Sequence, residues 1–234
     1  MNQEHKFSNG SLLEQNEAAM KTTKTIYLIR HAESQENRRL KCLKSAFRDL
    51  GRFSLPRASD LEAATELCRV ADQIDSPVSA FGKQQIDYMA KILQESNFMQ
   101  RIQLVAHSPL QRAVETCFGL LGCKAPDTVP EGTASSVVQL DLLQEKTPTE
   151  WFGGGNFPQR LVAFETWIAE QTTVDSIAVV GHSQYFKALL QQECLMGNCD
   201  VIQADFDPVS KRWSNVKELH VCRLQPPQEE ATDK

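Results

Sequence analysis

No apolar run in these 234 residues approaches the roughly 18 that a helix needs to cross a bilayer, so no spanning helix and no membrane partner are expected. A basic surplus is also missing. The formal net charge is −5, the wrong sign for a general nucleic-acid binder. Met1 to Lys21 is polar and holds no hydrophobic signal core, which argues against secretion by the ordinary route. Cysteines are few and unpatterned: Cys42, Cys68, Cys117, Cys123, Cys194, Cys199 and Cys222. Their odd number and scatter fit reduced thiols in the cytoplasm better than a disulfide framework. Cys194 and Cys199 are close, but no histidine or second pair stands beside them, so no metal site is expected there.

What is present is an ordinary globular balance, with 41% hydrophobic and 24% charged residues. Residues 1–22 and 225–234, the latter with Pro226, Pro227, Glu229 and Glu230, read as mobile tails around one domain over 23–224. Between them no repeat and no linker divides the chain. Thr25–Ile29, Arg101–Ala106, Val137–Leu143 and Ser176–Val180 read as strands, with Val216–Leu224 as a late strand at the sheet edge. Ile86, Met89, Ala90 and Leu93 fall on one helical face, as do Leu110, Ala113, Val114, Cys117 and Phe118. Ser108-Pro109 reads as the cap and first turn of that second helix. Pro158–Gln171 reads as a helix with Leu161, Phe164 and Ile168 inward, and Ser183 as the cap of another running to Leu190. Alternating strands and helices predict a single α/β domain with a central, mostly parallel sheet and helices on both faces. Ligands of such sheets bind outside the carboxyl ends of the strands.

Three polar signatures stand at those ends. They are Arg30-His31-Ala32-Glu33-Ser34 with Asn37 beyond it, Ser108-Pro109-Leu110-Gln111-Arg112, and Gly181-His182-Ser183. Two histidines and two arginines therefore converge, which is the set that phosphoryl transfer through nitrogen needs. A neutral imidazole is nucleophilic near pH 7. Flanking guanidinium groups hold non-bridging oxygens in forked geometry and disfavour the imidazolium.

These segments resemble the motifs of the histidine phosphatase superfamily, the phosphoglycerate-mutase-like enzymes. Thr25 to Ser34 resembles the Arg-His-Gly signature with Ala32 in place of glycine, and Ser108 to Ala113 with Thr116 the second-arginine motif. Asp75-Ser76-Pro77-Val78-Ser79 with Gly82 and Gln85 resembles the turn before the intervening helix, and Gly181-His182-Ser183 the second-histidine motif. The match runs in order over most of the chain, from about Thr25 to Leu190. The resemblance implies that His31 is phosphorylated and that Arg30, Arg112 and His182 hold the phosphate, with Asn37 assisting. One branch of the family places an aspartate directly after the second histidine, where this chain has Ser183. The other uses a glutamate ending a Leu-x-Glu strand, which Leu143-Gln144-Glu145 fits, so Glu145 is the implied general acid, with Asp141 and Glu33 as competitors.

The expected activity is that of a cofactor-independent, acid-histidine-type phosphatase acting on a small phosphorylated substrate, with no metal or organic cofactor. A mutase is the alternative, although such enzymes follow the acid with Arg and then Tyr-Gly where this chain has Lys146-Thr147-Pro148. A catalytically idle module that binds phosphorylated ligands or proteins is the third possibility. Residues 38–57 hold seven basic side chains against Asp49 alone, together with an apolar helical face of Leu40, Leu43, Phe47 and Leu50. They read either as a solvated helix or as a positive rim that draws in polyanions. His107 reads as a packed histidine, and Trp151–Asn156 as a surface loop or a lid.

Overall fold

The computed structural model describes residues 23–37, 75–122, 136–147, 150, 154–193 and 196–226. The basic stretch 38–57, Trp151–Gly153 and nearly all of both tails lie outside the described residues.

The centre is β1, Lys24–Arg30, whose Ile26, Leu28 and Ile29 have no exposed surface. Beside it runs β4, Ser176–Gly181, in parallel register from Thr25 opposite Ser176 to Arg30 opposite Gly181. β2, Leu104–His107, pairs in parallel with β4, and β3, Ser136–Gln139, with β2. On the other side β5, Val201–Asp207, and β6, Arg212–His220, run antiparallel. The order is β3-β2-β4-β1-β5-β6, a single mixed and mostly parallel sheet.

Both faces are covered, as strands buried on two sides require. Tyr27, Ile29, Val105, Ala178 and Val180 point into one core with α1, Ala80–Glu95, and α2, Gln111–Leu121. Ile26, Leu28, Ala106, Ile177 and Val179 point into the other, with α3, Phe157–Glu170, and α4, Ser183–Leu189. The period-2 alternation along each strand divides its side chains between the two cores. Each fully buried aliphatic contributes roughly 1.5–3 kcal/mol.

Several local readings need correction. Residues 101–103 precede β2 rather than belonging to it, because Phe98–Arg101 forms a 3₁₀ turn. β5 was not expected, since Gln203 and Asp205 interrupt its apolar character. β6 starts at Arg212 and ends at His220, short of the expected Leu224. In α3 the buried residues are Phe157, Arg160, Phe164 and Ile168, so Arg160 takes an inward place and Leu161 is only partly covered. Neither serine caps its helix. Leu110 and His182 hold the N-cap positions of α2 and α4.

The turn before α1 is fixed more firmly. Ser79 caps α1 through its hydroxyl to the Gly82 N–H at 3.0 Å, and its own N–H reaches the Glu33 carbonyl at 2.8 Å. A Cβ at Gly82 would lie 2.2 Å from that Glu33 oxygen and 2.6 Å from Val78 Cγ1. Gly82→Ala is therefore expected to lose about 1–3 kcal/mol through overpacking against backbone. Urea unfolding would show a lower midpoint at unchanged slope. Lys83→Ala, on the exposed side of the same turn, should stay within about 0.5 kcal/mol of the parent.

Candidate active site

The register brings the three signatures together. The His31 N–H donates to the Gly181 carbonyl at 2.9 Å and the Ser108 N–H to the Val180 carbonyl at 3.0 Å. The first residues after β1 and β2 are thus both pinned to the end of β4, which His182 follows directly. The His31 and His182 rings lie 5.0 Å apart between centroids, inclined at 60°.

His31 is 2% exposed, and its Nδ1 lies 2.6 Å from the Ala32 carbonyl oxygen. A carbonyl can only accept, so Nδ1 carries the proton and Nε2 keeps its lone pair. The Ala32 N–H donates to Thr116 Oγ1 at 2.9 Å, and that hydroxyl donates to the Arg112 carbonyl at 2.6 Å. Asn198 Nδ2 donates to the His31 carbonyl at 3.0 Å. Ala32 is fully buried in the core with α1 and α2, so a methyl is accommodated where the family has glycine.

His182 is fully buried, with Nε2 2.8 Å from Ser108 Oγ and Nδ1 3.8 Å from Glu145 Oε2. Ser108 Oγ also accepts from the Leu110 N–H at 3.3 Å. One arrangement serves all of these atoms: Ser108 donates to Nε2, which leaves Nδ1–H facing the carboxyl group. Ser108 was expected to cap a helix; its hydroxyl instead orients a histidine. His107 is packed as expected, its Nδ1 on the Ser108 carbonyl and its ring edge-on to Phe118.

Burial first, then the Arg112 and Arg30 charges, push His31 well below the usual imidazole range. His182 is pushed the same way by burial, His31 and both arginines. Burial raises Glu145 above the ordinary carboxylate value and Glu36 adds to this, while the Lys146 N–H and both arginines oppose it. Arg112 is 6% exposed in its side chain and stands 3.6 Å from Glu36. Arg30 Nη1 donates to the Met196 carbonyl. Arg30 and Arg112 are thus each within electrostatic reach of His31, Glu145 and His182, and His182 of both His31 and Glu145. Asn37 sits in the helical turn after His31, its N–H on Ser34 Oγ at 3.1 Å.

Among the described residues, four buried side-chain polar atoms lack a hydrogen-bond partner: Arg30 Nε, Asn37 Oδ1, His107 Nε2 and His182 Nδ1. Three belong to the expected site. A native fold leaves few such atoms, and a cluster of them at one place points to a ligand.

Glu145 does not end a strand. β3 stops at Gln139, and a 3₁₀ turn at Asp141–Leu143, anchored by the wholly buried Leu143, carries the chain on to Glu145. Asp141 is exposed. Glu33 accepts from Ser79 Oγ at 3.1 Å and so serves the turn before α1.

Comparison with known structures agrees with this architecture. An Escherichia coli protein assigned as an α-ribazole-5′-phosphate phosphatase matches at a TM-score of 0.55 and 16% identity, over 87% of this chain and 99% of that one. A mycobacterial glucosyl-3-phosphoglycerate phosphatase matches at 0.52 and 16%, over 85% and 99%. Its complex with VO3 gives 0.52 and 17%, over 85% and 99%. The chain has the histidine phosphatase fold. By sequence, no family model and no curated protein gives a match.

The buried imidazoles also tie stability to pH. An unfolded chain protonates His182 near 6.5, whereas the folded site holds it well below that value. Below 6.5 the unfolded state binds more protons, so this histidine lowers stability as the pH falls. Glu145 and Asp200, both raised, act in the opposite sense in any variant that keeps them. His182→Gln should therefore lose less stability than the parent between neutral pH and about 5. Urea midpoints across that window test it, and an equal loss in both proteins would count against the burial of a neutral ring.

Proposed function

We propose that the chain is a phosphoric monoester hydrolase that works through a phosphohistidine at His31, with Glu145 as proton donor. The observation that carries this reading is the pair of unpartnered buried atoms Arg30 Nε and His182 Nδ1 beside a histidine whose Nε2 lone pair is free, with Asn37 Oδ1 unpartnered in the turn that follows. Oxygens of a phosphoryl group would accept from Arg30 and His182, and from Asn37 if its amide is turned, an orientation that the hydrogen-bond network alone assigns. The phosphatases that share the fold give independent support, as does the vanadium oxyanion bound by one of them.

In the first step His31 Nε2 attacks phosphorus in line with the leaving oxygen. The P–N bond forms, the P–O bond breaks, and the leaving oxygen takes the proton of Glu145. In the second step the Glu145 carboxylate removes a proton from water, whose oxygen attacks phosphorus. The P–N bond then breaks, its electron pair returns to Nε2 and inorganic phosphate departs. Arg30, Arg112 and His182 stabilise charge on the equatorial oxygens in both steps.

A mutase would need dedicated contacts to retain its substrate, and Lys146-Thr147-Pro148 after Glu145 lacks the Arg and Tyr-Gly that such enzymes use there. An idle binding module has no use for a buried carboxyl that faces His182 and is raised above the ordinary carboxylate value. The basic stretch 38–57 and a cleft of about 290 Å³ that includes Lys146, Gln184, Lys187 and Gln191 support a substrate with further anionic groups. The scattered, odd cysteines favour a reducing compartment such as the cytoplasm.

His31→Ala is expected to abolish turnover with the fold retained, and labelled substrate should leave an acid-labile phosphoryl group on the parent protein only. An acid-stable label, or one that survives the substitution, excludes this mechanism. Steady release of inorganic phosphate distinguishes a hydrolase from a mutase, which releases little, and from a binding module, which releases none.

The pH dependence has a defined sign as well. The first step needs neutral His31 and protonated Glu145. Its acid limb should therefore lie well below 6.5, and its alkaline limb above 4.5. Glu145→Gln, which cannot lose a proton, should remove the alkaline limb from single-turnover profiles. Chelators should leave the rate unchanged, since arginine and histidine already supply the positive charge that a metal would.

A further inference from the structure

Arg160 is an unexpected residue for the inner face of α3. It is 9% exposed, and a buried guanidinium is tolerated only when its donors are well used. Nε donates to Glu150 Oε1 at 3.3 Å and Nη2 to Glu150 Oε2 at 2.7 Å, a forked pair. Nη1 donates to the Leu142 carbonyl at 3.2 Å and to the Gln144 carbonyl at 2.7 Å, and Nη2 reaches the Glu145 carbonyl at 3.5 Å. Every one of these acceptors lies within residues 142–150, the segment that carries Glu145.

The other faces of the guanidinium meet rings. Its carbon stands 5.2 Å from the Phe157 centroid and 5.9 Å from that of Tyr185, while the Tyr185 hydroxyl donates to the Arg160 carbonyl at 3.4 Å. Tyr185 belongs to α4, which begins directly after His182. One side chain therefore ties the segment carrying the proposed acid to the helix that follows the second histidine. Gly155 completes the clasp. Its φ is +75°, and a Cβ there would lie 2.6 Å from Glu150 Cγ, so only glycine lets Glu150 take this position.

Around Glu145 little else does this work. The segment is irregular after Leu143, and the carboxyl's own contacts are the Lys146 N–H at 3.0 Å and His182 at 3.8 Å. α3 also meets this segment through Leu143 in the shared core and through the Phe157 ring 5.3 Å under the Lys146 ammonium, but among the described residues the hydrogen bonds from α3 to the backbone of 142–145 are those of Arg160. We infer that Arg160, held by Glu150, is the positioning residue for the proton donor: it fixes the backbone of Glu145 so that its carboxyl faces His182 and the leaving group. The inference rests on the proposed role of Glu145. It adds a residue that touches neither substrate nor phosphate.

Single-turnover phosphorylation of His31 by a series of aryl phosphates with graded leaving-group basicity tests both levels. A working proton donor makes the rate nearly independent of leaving group. Glu145→Gln should make the dependence steep, with about 10²–10⁴-fold loss for the most basic leaving group. Arg160→Lys keeps the charge but loses the fork, and should steepen the dependence in the same way, with about 10²-fold loss at the basic end and little at the acidic end. Glu150→Gln, which leaves the carbonyl bonds of Arg160 in place, should move the slope part of the way. Adding Arg160→Lys to Glu145→Gln should cost nothing further. Vanadate binding at parental affinity shows that each variant keeps a folded phosphate site, which separates mispositioning from collapse.

A parental slope in Glu145→Gln removes Glu145 as donor. A steep slope there, with parental slopes in both Arg160→Lys and Glu150→Gln, leaves Glu145 in place and overturns the role of Arg160 alone. A loss equal across all leaving groups in the Arg160 variant also overturns it, because that is the mark of a merely structural residue. If Arg160→Lys fails to bind vanadate, the decision falls to Glu150→Gln, whose slope either steepens or sinks the proposal.

Discussion

The carboxyl end of β4 is the constraint on which the site depends. Val180 and Gly181 offer successive carbonyls to the N–H groups of Ser108 and His31, and the chain then continues into His182. Two backbone hydrogen bonds thus place three strand ends at one level. Each side chain that follows is set by where its strand stops. The 5.0 Å between the two imidazoles follows from strand spacing, because β1 and β4 are direct neighbours in the sheet. Sliding β1 by one residue would send His31 to the opposite face, and its pairing with β4 on one edge and β5 on the other holds the register.

A second layer of contacts turns this alignment into defined protonation states. The Ala32 carbonyl fixes the tautomer of His31, and the Ser108 hydroxyl orients His182. The segment Met196–Asp200 closes over β1 from the other side, where the Met196 carbonyl takes an Arg30 N–H, Asn198 holds the His31 carbonyl, and Cys199 and Asp200 exchange backbone bonds with Arg30. Around the two buried histidines, the Arg30 and Arg112 charges act together with those of Glu36 and the Glu145 and Asp200 carboxyls. A doubly charged phosphoryl group suits such a place far better than a neutral ligand does.

Much of this was legible in the sequence, and the reason is locality. Strands β1 and β4 are short β-branched and apolar runs, and the residues that follow a strand's end must lie at the ligand-binding edge. The positions of His31, Ser108 and His182 therefore came from patterns only a few residues long. Arg112 came from the short signature that opens the helix after β2 and from its resemblance to the second-arginine motif. What the sequence hid depends on contacts far along the chain. β5 alternates because Ile202, Ala204 and Phe206 are buried on one face while Gln203, Asp205 and Asp207 lie half-covered on the other, and Asp205 and Gln203 disguised it. Arg160 looks like the exposed face of an amphipathic helix until its partners Leu142, Gln144 and Glu150 are seen beneath it. The Leu-x-Glu pattern pointed to Glu145, the proposed acid, but not to its support, which is a 3₁₀ turn and an arginine clasp rather than a strand.

In the proposed reaction, burial acts on nucleophile and acid in opposite directions. Burial pushes the His31 imidazole down and the Glu145 carboxyl up, each towards its uncharged form. The arginines help the first and hinder the second, so the site without substrate sits in a compromise. A phosphoryl dianion changes the balance, because its charge cancels much of the arginine field at Glu145. The carboxyl then holds its proton more firmly at the moment when a leaving oxygen will need it. Once the alcohol has gone and water has entered, the carboxylate is both newly formed and newly solvated, and it can take a proton from that water. In this reading the substrate's own charge switches Glu145 between its two roles. What the protein must supply is a fixed position for that carboxyl while its charge changes, and a fork of hydrogen bonds to the backbone holds whichever charge the side chain carries.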